Sequence, residues 1–583
     1  MSRLILLLFA LFCFLQASCL AADQRSTPAR PPAPLSEEQK IIHALNRLAF
    51  GPRPGDVERV RQMGLKNWIE EQLAPATIDD STVEAKLAPL TTLQLPASQL
   101  LIAYLGDTVV ALRQANRQKM VQEKTAKGEV TAAEKPQKTL TPRQLQIQKM
   151  IEESGLPPRA SLQAVGELLT SKTVRAVESK RQLQEVLVDF WSNHFNVDVK
   201  RATVRALKIV DDRAAIRPHV FGKFRDLLGA TAHSPAMLIY LDNARSTVAK
   251  EAPRRANQKT RGGINENYAR ELMELHTLGV DGGYTQQDVQ EVARCLTGWT
   301  VNLKTGEFIF RPMQHDNGAK TVLGHAIAAG GGIGDGEAVL DILAAHPATA
   351  RFIARKLCVR LVTDEPPATL IDRAAKTFQD TGGDLREVVR TIVLAPEFNA
   401  PQAYQAKFKS PFEYAVSATR ALGGKVIVPD PAERRGRLRL IADGSSSIKR
   451  MNNPKQLKGR QKSLVQQIGT MGQPLFSCQP PTGYSEDSRY WMSTSGLISR
   501  LTFALAMTSN EVEGVQTSLT GVLADVDRND GAAVLNRLST ALLGNRLSPT
   551  TRATLEKQIA GETPVNATKL AALLIGSPEY QRR

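Results

Sequence analysis

Three stretches of the chain gather side chains that can move protons, hold a cation or orient an anion. Asn265 to Leu278 (NENYARELMELHTL) has a helical period. At 3.6 residues per turn, Asn267, Arg270, Glu271 and Glu274 fall on one strip, with Tyr268, Leu272, Met273, Leu275 and His276 opposite. Two carboxylates three residues apart, flanked by an amide and a guanidinium, can coordinate a hard cation or handle protons. A solvated face with ordinary intrahelical pairs, such as Glu266 with Arg270, gives the same pattern. His276, on the apolar side, is expected to be a core histidine bonded to a carbonyl. A second helix, Gln184 to Phe195 (QEVLVDFWSNHF), repeats the layout: Glu185, Asp189, Ser192 and Asn193 share a strip, with Leu187, Phe190 and His194 opposite. The third stretch, His315-Asp316-Asn317-Gly318, is a turn followed by Lys320 and His325. Polar loop residues on a rigid scaffold are common site material, although an Asx-turn with a partly exposed histidine is the plainer reading.

If the three stretches converge on one cavity, Glu271, Asp189, His315 and Asp316 become acid/base candidates, with Arg270 orienting an anionic group. His315, Asp316 and Glu271 would be the ligands of a divalent metal, and Asn193, Asn267, Glu274 and Lys320 would contact substrate. That arrangement predicts metal-assisted or acid/base hydrolysis. If the same groups close on one another, they form a buried hydrogen-bond network, and the protein is a binding or maturation partner. The chain holds no GxxxxGK[ST], GxSxG or HExxH motif, which argues against the nucleotide, serine-hydrolase and zincin classes those motifs mark. Its four tryptophans do not alternate with basic residues as a base-stacking platform would, so nucleic acid is not an expected partner.

The elements that must position these groups are helical. Ser36-Glu37-Glu38-Gln39 is a capping box ahead of Ile41, Ile42 and Leu45, and Leu48 to Pro52 (LAFGP) stops that helix. Asp56 opens another that Gly64 interrupts. One β-hairpin is expected, Trp299 to Leu303 and Phe308 to Phe310 around Lys304-Thr305-Gly306-Glu307. The fold class is therefore mainly α, one large multi-helix domain over residues 36–583. Three basic stretches, 113–143, 249–263 and 425–462, have too few large apolar residues to build core and read as loop insertions. TIVLAPEF (391–398) and ALLIGSPEY (572–580) form a weak internal echo of a helix end stopped by proline.

Residues 1–21 have the order of a secretory signal: Arg3, an apolar run from Leu4 to Leu15, then small residues to Ala21-Ala22. A lipid-anchored alternative would use Cys19, although Gln16 is a poor residue three places before it. Residues 22–35 form a proline-rich linker. These features predict export to the periplasm, envelope or exterior, with no membrane span in the mature chain. Its three cysteines, Cys295, Cys358 and Cys478, allow one disulfide and a free thiol, or three buried thiols. The net charge of +17 suits an anionic envelope polymer, though most of the excess lies in the insertions.

Seven stretches, in order, resemble one bacterial family: DFWSNHF (189–195), NENYARELMELHTLGVDGGY (265–284), VARCLTGWT (292–300), HDNGAKTVLG (315–324), FKSPFE (408–413), MGQPLFSCQPPTGY (471–484) and the final SPEYQRR. The chain is similar to the "domain of unknown function 1800" family from about Ile41 to its end. One departure is Tyr484, where the family's PP-x-GW element carries tryptophan. The resemblance implies an exported protein and a second exported, sulfatase-like protein as partner; it implies no reaction.

Overall fold

The computed structural model describes residues 33–107, 142–156, 160–248, 263–428, 430, 461–544 and 546–583. The expected signal peptide, most of the linker and nearly all of the three basic stretches lie outside the described residues.

Side-chain caps set where the helices begin. Ser36 Oγ accepts the Gln39 N–H at 3.2 Å, while the Gln39 side chain accepts the Ser36 N–H at 2.9 Å, the reciprocal box read from the sequence. That helix, α1 (Glu37–Arg47), ends before Gly51, whose φ of 89° only glycine adopts without strain. The further helices that position the site are α2 (Ala160–Glu178), α3 (Gln182–His194), α4 (Asn267–Glu271), α5 (Gln286–Cys295), α6 (Ile333–Ala345), α7 (Pro347–Leu361), α8 (Pro411–Ala421), α9 (Thr494–Thr508), α10 (Ala567–Gly576) and the short α11 (Pro578–Gln581). The helix expected over 265–278 is only partly regular: after α4 the backbone widens into a π turn over Leu272–Thr277.

The protein is mainly α, with three short antiparallel pairs among the described residues. The expected hairpin forms, with β1 (Trp299–Asn302) against β2 (Glu307–Phe310) and Trp299 opposite Phe310. A second hairpin, β3 (Lys320–Val322) with β4 (His325–Ile327), follows the 315–318 turn, where no strand is expected from the sequence. A third pair joins β5 (Lys425–Val426) to β6 (Val515–Gln516), so the opening residues of the third basic stretch are strand rather than insertion. In the internal echo, SPEY opens α11, whereas APEF continues only as turns.

Helix α3 sits deep in the core. Leu183, Val186, Leu187, Phe190 and Trp191 are each at most 1 % exposed. Its polar strip is buried or half-buried as well, so those groups must find partners inside the protein. Glu185 does so through a two-pronged pair with Arg217 at 2.9 and 2.7 Å. Cys295, Cys358 and Cys478 are three buried free thiols, the second alternative allowed by the sequence. Among the described residues no helix is long and apolar enough to cross a membrane.

Candidate functional site

An open cleft lies where α2, α3, α7 and α8 meet the segment 473–488 and the last residue of the chain. Most of the side chains that line it are polar or charged, with the apolar Phe408, Leu475, Phe476 and Trp491 set among them. Asp189 on α3 receives Lys172 of α2 at 2.7 Å on one oxygen and Arg360 of α7 at 3.0 Å on the other. Arg360 extends the network to Glu486 at 3.1 Å and Glu413 at 3.3 Å. Glu413 also meets Arg583 at 2.8 Å, while its second oxygen accepts the Ser410 N–H in the α8 capping box. Lys407 pairs with Asp364 and donates to the Glu486 carbonyl at 2.9 Å. The Lys172 ammonium also lies over the rings of Phe412 and Phe476, 4.9 and 5.0 Å from their centroids.

The rim is fixed by amide clamps. Asn193 accepts the Tyr484 N–H at 2.7 Å and donates to the Tyr484 carbonyl at 2.8 Å. Asn196 donates to the carbonyls of Cys478 and Pro480. This close approach demands Gly483: it has φ 71°, and a Cβ there would fall 2.3 Å from the Asn193 carbonyl oxygen. Tyr484, the departure from the family's tryptophan, donates its hydroxyl to the Pro474 carbonyl at 2.8 Å.

Among the cleft groups with displaced acidities, Glu413 and Lys407 bear most directly on its chemistry. Burial alone would raise the Glu413 carboxyl, but Arg583 and Arg360 outweigh it and hold the group down to about 2. Burial, reinforced by Arg583 and opposed by Asp364, brings the Lys407 ammonium down to about 8. Lys407 therefore exchanges its proton close to neutral pH.

Of the candidate residues read from sequence, Asp189 and Asn193 line this cleft, together with Ser192 of the same helical strip. The others lie elsewhere, which corrects the expectation of one shared cavity. His315, Lys320 and Asp335 form a closed buried network: Asp335 takes Lys320 at 2.6 Å and His315 Nε2 at 3.1 Å, all three side chains at most 1 % exposed. His315 Nδ1 lies 2.8 Å from the Thr297 carbonyl. Asp316 is held by Arg294 at 2.9 and 3.1 Å. Lys320 donates to the carbonyls of Asp316 and Gly318 as well. These groups pin the two hairpins to α5 and α6. Both ring nitrogens of His315 face acceptors and Asp316 is neutralised, so the pair is not disposed to ligate a cation with Glu271. Among the described residues no group of three or more His, Cys, Asp or Glu side chains is disposed to hold a metal.

The strip on α4 and its π turn is the more solvated of the two. Asn267 is exposed; Arg270 bonds Gln286 at 2.7 Å, and Glu274 accepts the Tyr284 hydroxyl at 3.0 Å. Burial, then the neighbouring Glu274, raises the Glu271 carboxyl above its ordinary range despite Arg270. His276 is buried as expected, but its Nε2 has no partner among the described residues; its own carbonyl faces His194 Nε2 instead.

Sequence reasoning passed over Lys172, Arg360, Lys407, Glu413, Glu486 and Arg583. The available signal was a charge inside an apolar helix pattern: Arg360 shares α7 with the buried Ile353, Leu357 and Leu361. Four of the seven quoted stretches, those holding Asp189, Glu413, Tyr484 and Arg583, meet at the cleft. A family model described as "Protein of unknown function (DUF1800)" matches residues 43–582, nearly the whole chain. The chain belongs to this family. No curated protein and no solved structure matches it.

Two outcomes are expected for this DUF1800 member. Replacing Arg360 by Met strands Asp189, Glu413 and Glu486 beside one another and should cost about 3–5 kcal/mol in urea unfolding; an unchanged midpoint would show that the network does not hold the fold. A carboxyl raised in the folded state favours folding below its unfolded pKa and opposes it as pH rises through its folded pKa. Glu271→Gln should therefore raise the Tm at neutral pH, with the gain shrinking as pH falls through the carboxylate range. A Tm loss at neutral pH would contradict that sign.

Proposed function

We propose that the protein is an exported envelope protein that binds a ligand bearing an anionic group in this cleft. The observation that carries the reading is a set of buried donors left without a partner among clustered cations. Lys172, Arg360, Lys407 and Arg583 stand among the carboxylates of Asp189, Glu413 and Glu486, with Asp364 paired to Lys407 beside them. Cations held in a partly desolvated cleft attract an anionic group more strongly than the same charges at an open surface. Arg360 Nε, Arg583 Nε and Ser192 Oγ are buried there without a hydrogen-bond partner among the described residues, donors that an anionic oxygen would satisfy. The chain's net charge of +17 suits the same class of ligand, an anionic envelope polymer included.

Hydrolysis at the same cleft is the second reading. It is favoured by Lys407, which titrates at about 8 and so can accept a proton near neutrality. Docking of a second exported, sulfatase-like protein is compatible with either reading, because ligand capture and maturation both need a partner that delivers or receives the bound group.

The test is calorimetric titration with inorganic phosphate across about pH 6 to 10, a range that spans both phosphate ionisation and lysine titration. Lys407 is charged below about 8, among Asp364, Arg583, Arg47 and the Glu486 carbonyl. Affinity should therefore fall as pH rises through that value. Lys407→Met should weaken binding roughly tenfold at neutral pH, ~1.4 kcal/mol, and flatten the alkaline fall. Absence of phosphate binding, or an alkaline fall untouched in Lys407→Met, would refute the reading.

A further inference from the structure

A second cavity adjoins the cleft, and its chemistry is the opposite. It measures about 170 Å³ and lies between α9, the helix Pro549–Ile559, α10 and α11, walled by Leu497, Leu501, Leu555 and Leu573. For scale, an engineered apolar cavity of ~150 Å³ in another protein stays dry and takes up benzene. Phe408 lines both spaces. On either side of this shared ring the chain divides the same way: Trp491 faces the cleft and Met492 the cavity, Arg583 the cleft and Arg582 the cavity. Met492 is 52 % exposed at the cavity's edge, an apolar side chain standing in water. Among the described residues, Arg582 is the one charged side chain lining the cavity; it makes no ion pair with them, and its side chain's one hydrogen bond to them, to the Gln405 carbonyl, is 3.5 Å long.

From this juxtaposition we infer that the ligand is an amphiphile, with its anionic head in the charged cleft and a short aliphatic tail passing Phe408 into the leucine-walled cavity. The inference rests on the anion-binding reading above and names the class of molecule that would occupy that site. Charge complementarity decides the head: the cleft holds guanidinium donors with no hydrogen-bond partner among the described residues, and the one charge beside the tail cavity is also positive, so neither end suits a cationic amphiphile. Apolar lining decides the tail, because burying methylenes against leucines releases their hydration, whereas a polar tail would lose hydrogen bonds it could not replace. The occupant is a single dissolved molecule rather than a membrane surface: the space beside the leucines, about 170 Å³, takes one short chain and not a sheet of headgroups.

The experiment is titration of the intact protein with inorganic phosphate, then with butyl, hexyl and octyl phosphate below their micelle concentrations, and with octanol. Affinity should rise roughly three- to fourfold per added methylene until the cavity is full, and octanol should bind far more weakly than octyl phosphate. Gly576→Leu should remove the chain-length gain while leaving phosphate affinity unchanged. A Cβ at Gly576 meets the Leu501 Cδ2 at 2.5 Å, the mobile end of a side chain that can yield into the cavity. Leu573→Trp fills the same space from α10 and serves if Gly576→Leu does not fold. Phosphate binding with no gain from the alkyl chain would overturn the inference and leave the anion reading standing. Failure of phosphate and alkyl phosphates alike would overturn both. A chain-length gain that survives both filling substitutions would place the tail elsewhere and overturn the inference, as would sedimentation with phosphatidylglycerol vesicles that octyl phosphate does not compete away.

Discussion

The fold around the cleft depends on one buried guanidinium. Arg360 projects from α7 and, only 5 % exposed at its side chain, is the common partner of Asp189 from α3, Glu413 from α8 and Glu486 from the segment that closes the rim. Three carboxylates that close would repel one another, and each pays a desolvation cost on burial. Arg360 offsets this for all three at once. The outer ends are completed by Lys172 on Asp189 and Arg583 on Glu413. Such a network is a poor source of net stability, since replacing every member together by apolar side chains of the same volume often does as well, whereas removing one member leaves the others unpaired. What it supplies is position. Residues from both halves of the chain are held in one charged surface, with a guanidinium that can still share its field with an incoming anion.

A second network, around Asp335, shows the contrasting use of the same residue types. His315, Lys320 and Asp335 are as well paired as the cleft residues but have no open face, and Arg294 closes on Asp316 nearby. Histidine, lysine and aspartate in proximity read as chemistry in a sequence. In the fold they fasten two hairpins to a helical body. Accessibility, which one-dimensional spacing does not carry, separates the two cases.

The elements themselves were legible. The Ser36 capping box, the stop at Gly51, the hairpin around Gly306 and the burial of His276 follow from local patterns, and local patterns survive into the structure. Asp189 and Asn193 were legible as a polar strip on an otherwise apolar helix, which requires partners. Their partners were not legible, because they come from remote parts of the chain: Arg360 lies 171 residues from Asp189, and Tyr484 lies 291 residues from Asn193. The expected convergence of the α4 strip with the His315 turn failed for a related reason. Helical periodicity says which residues share a face but not what that face meets. Here the α4 face is half solvated and the α3 face is buried.

The central claim is that the Arg360 cleft, and not the His315 network or the α4 strip, is where this protein meets its ligand. The most direct measurement is a crystal structure grown with arsenate, with the anion located by its anomalous signal. The account predicts a peak in the cleft within hydrogen-bond distance of Lys407, Arg360 or Arg583. An ordered arsenate at Arg270 or Arg294, with the cleft empty at the same concentration, would contradict it.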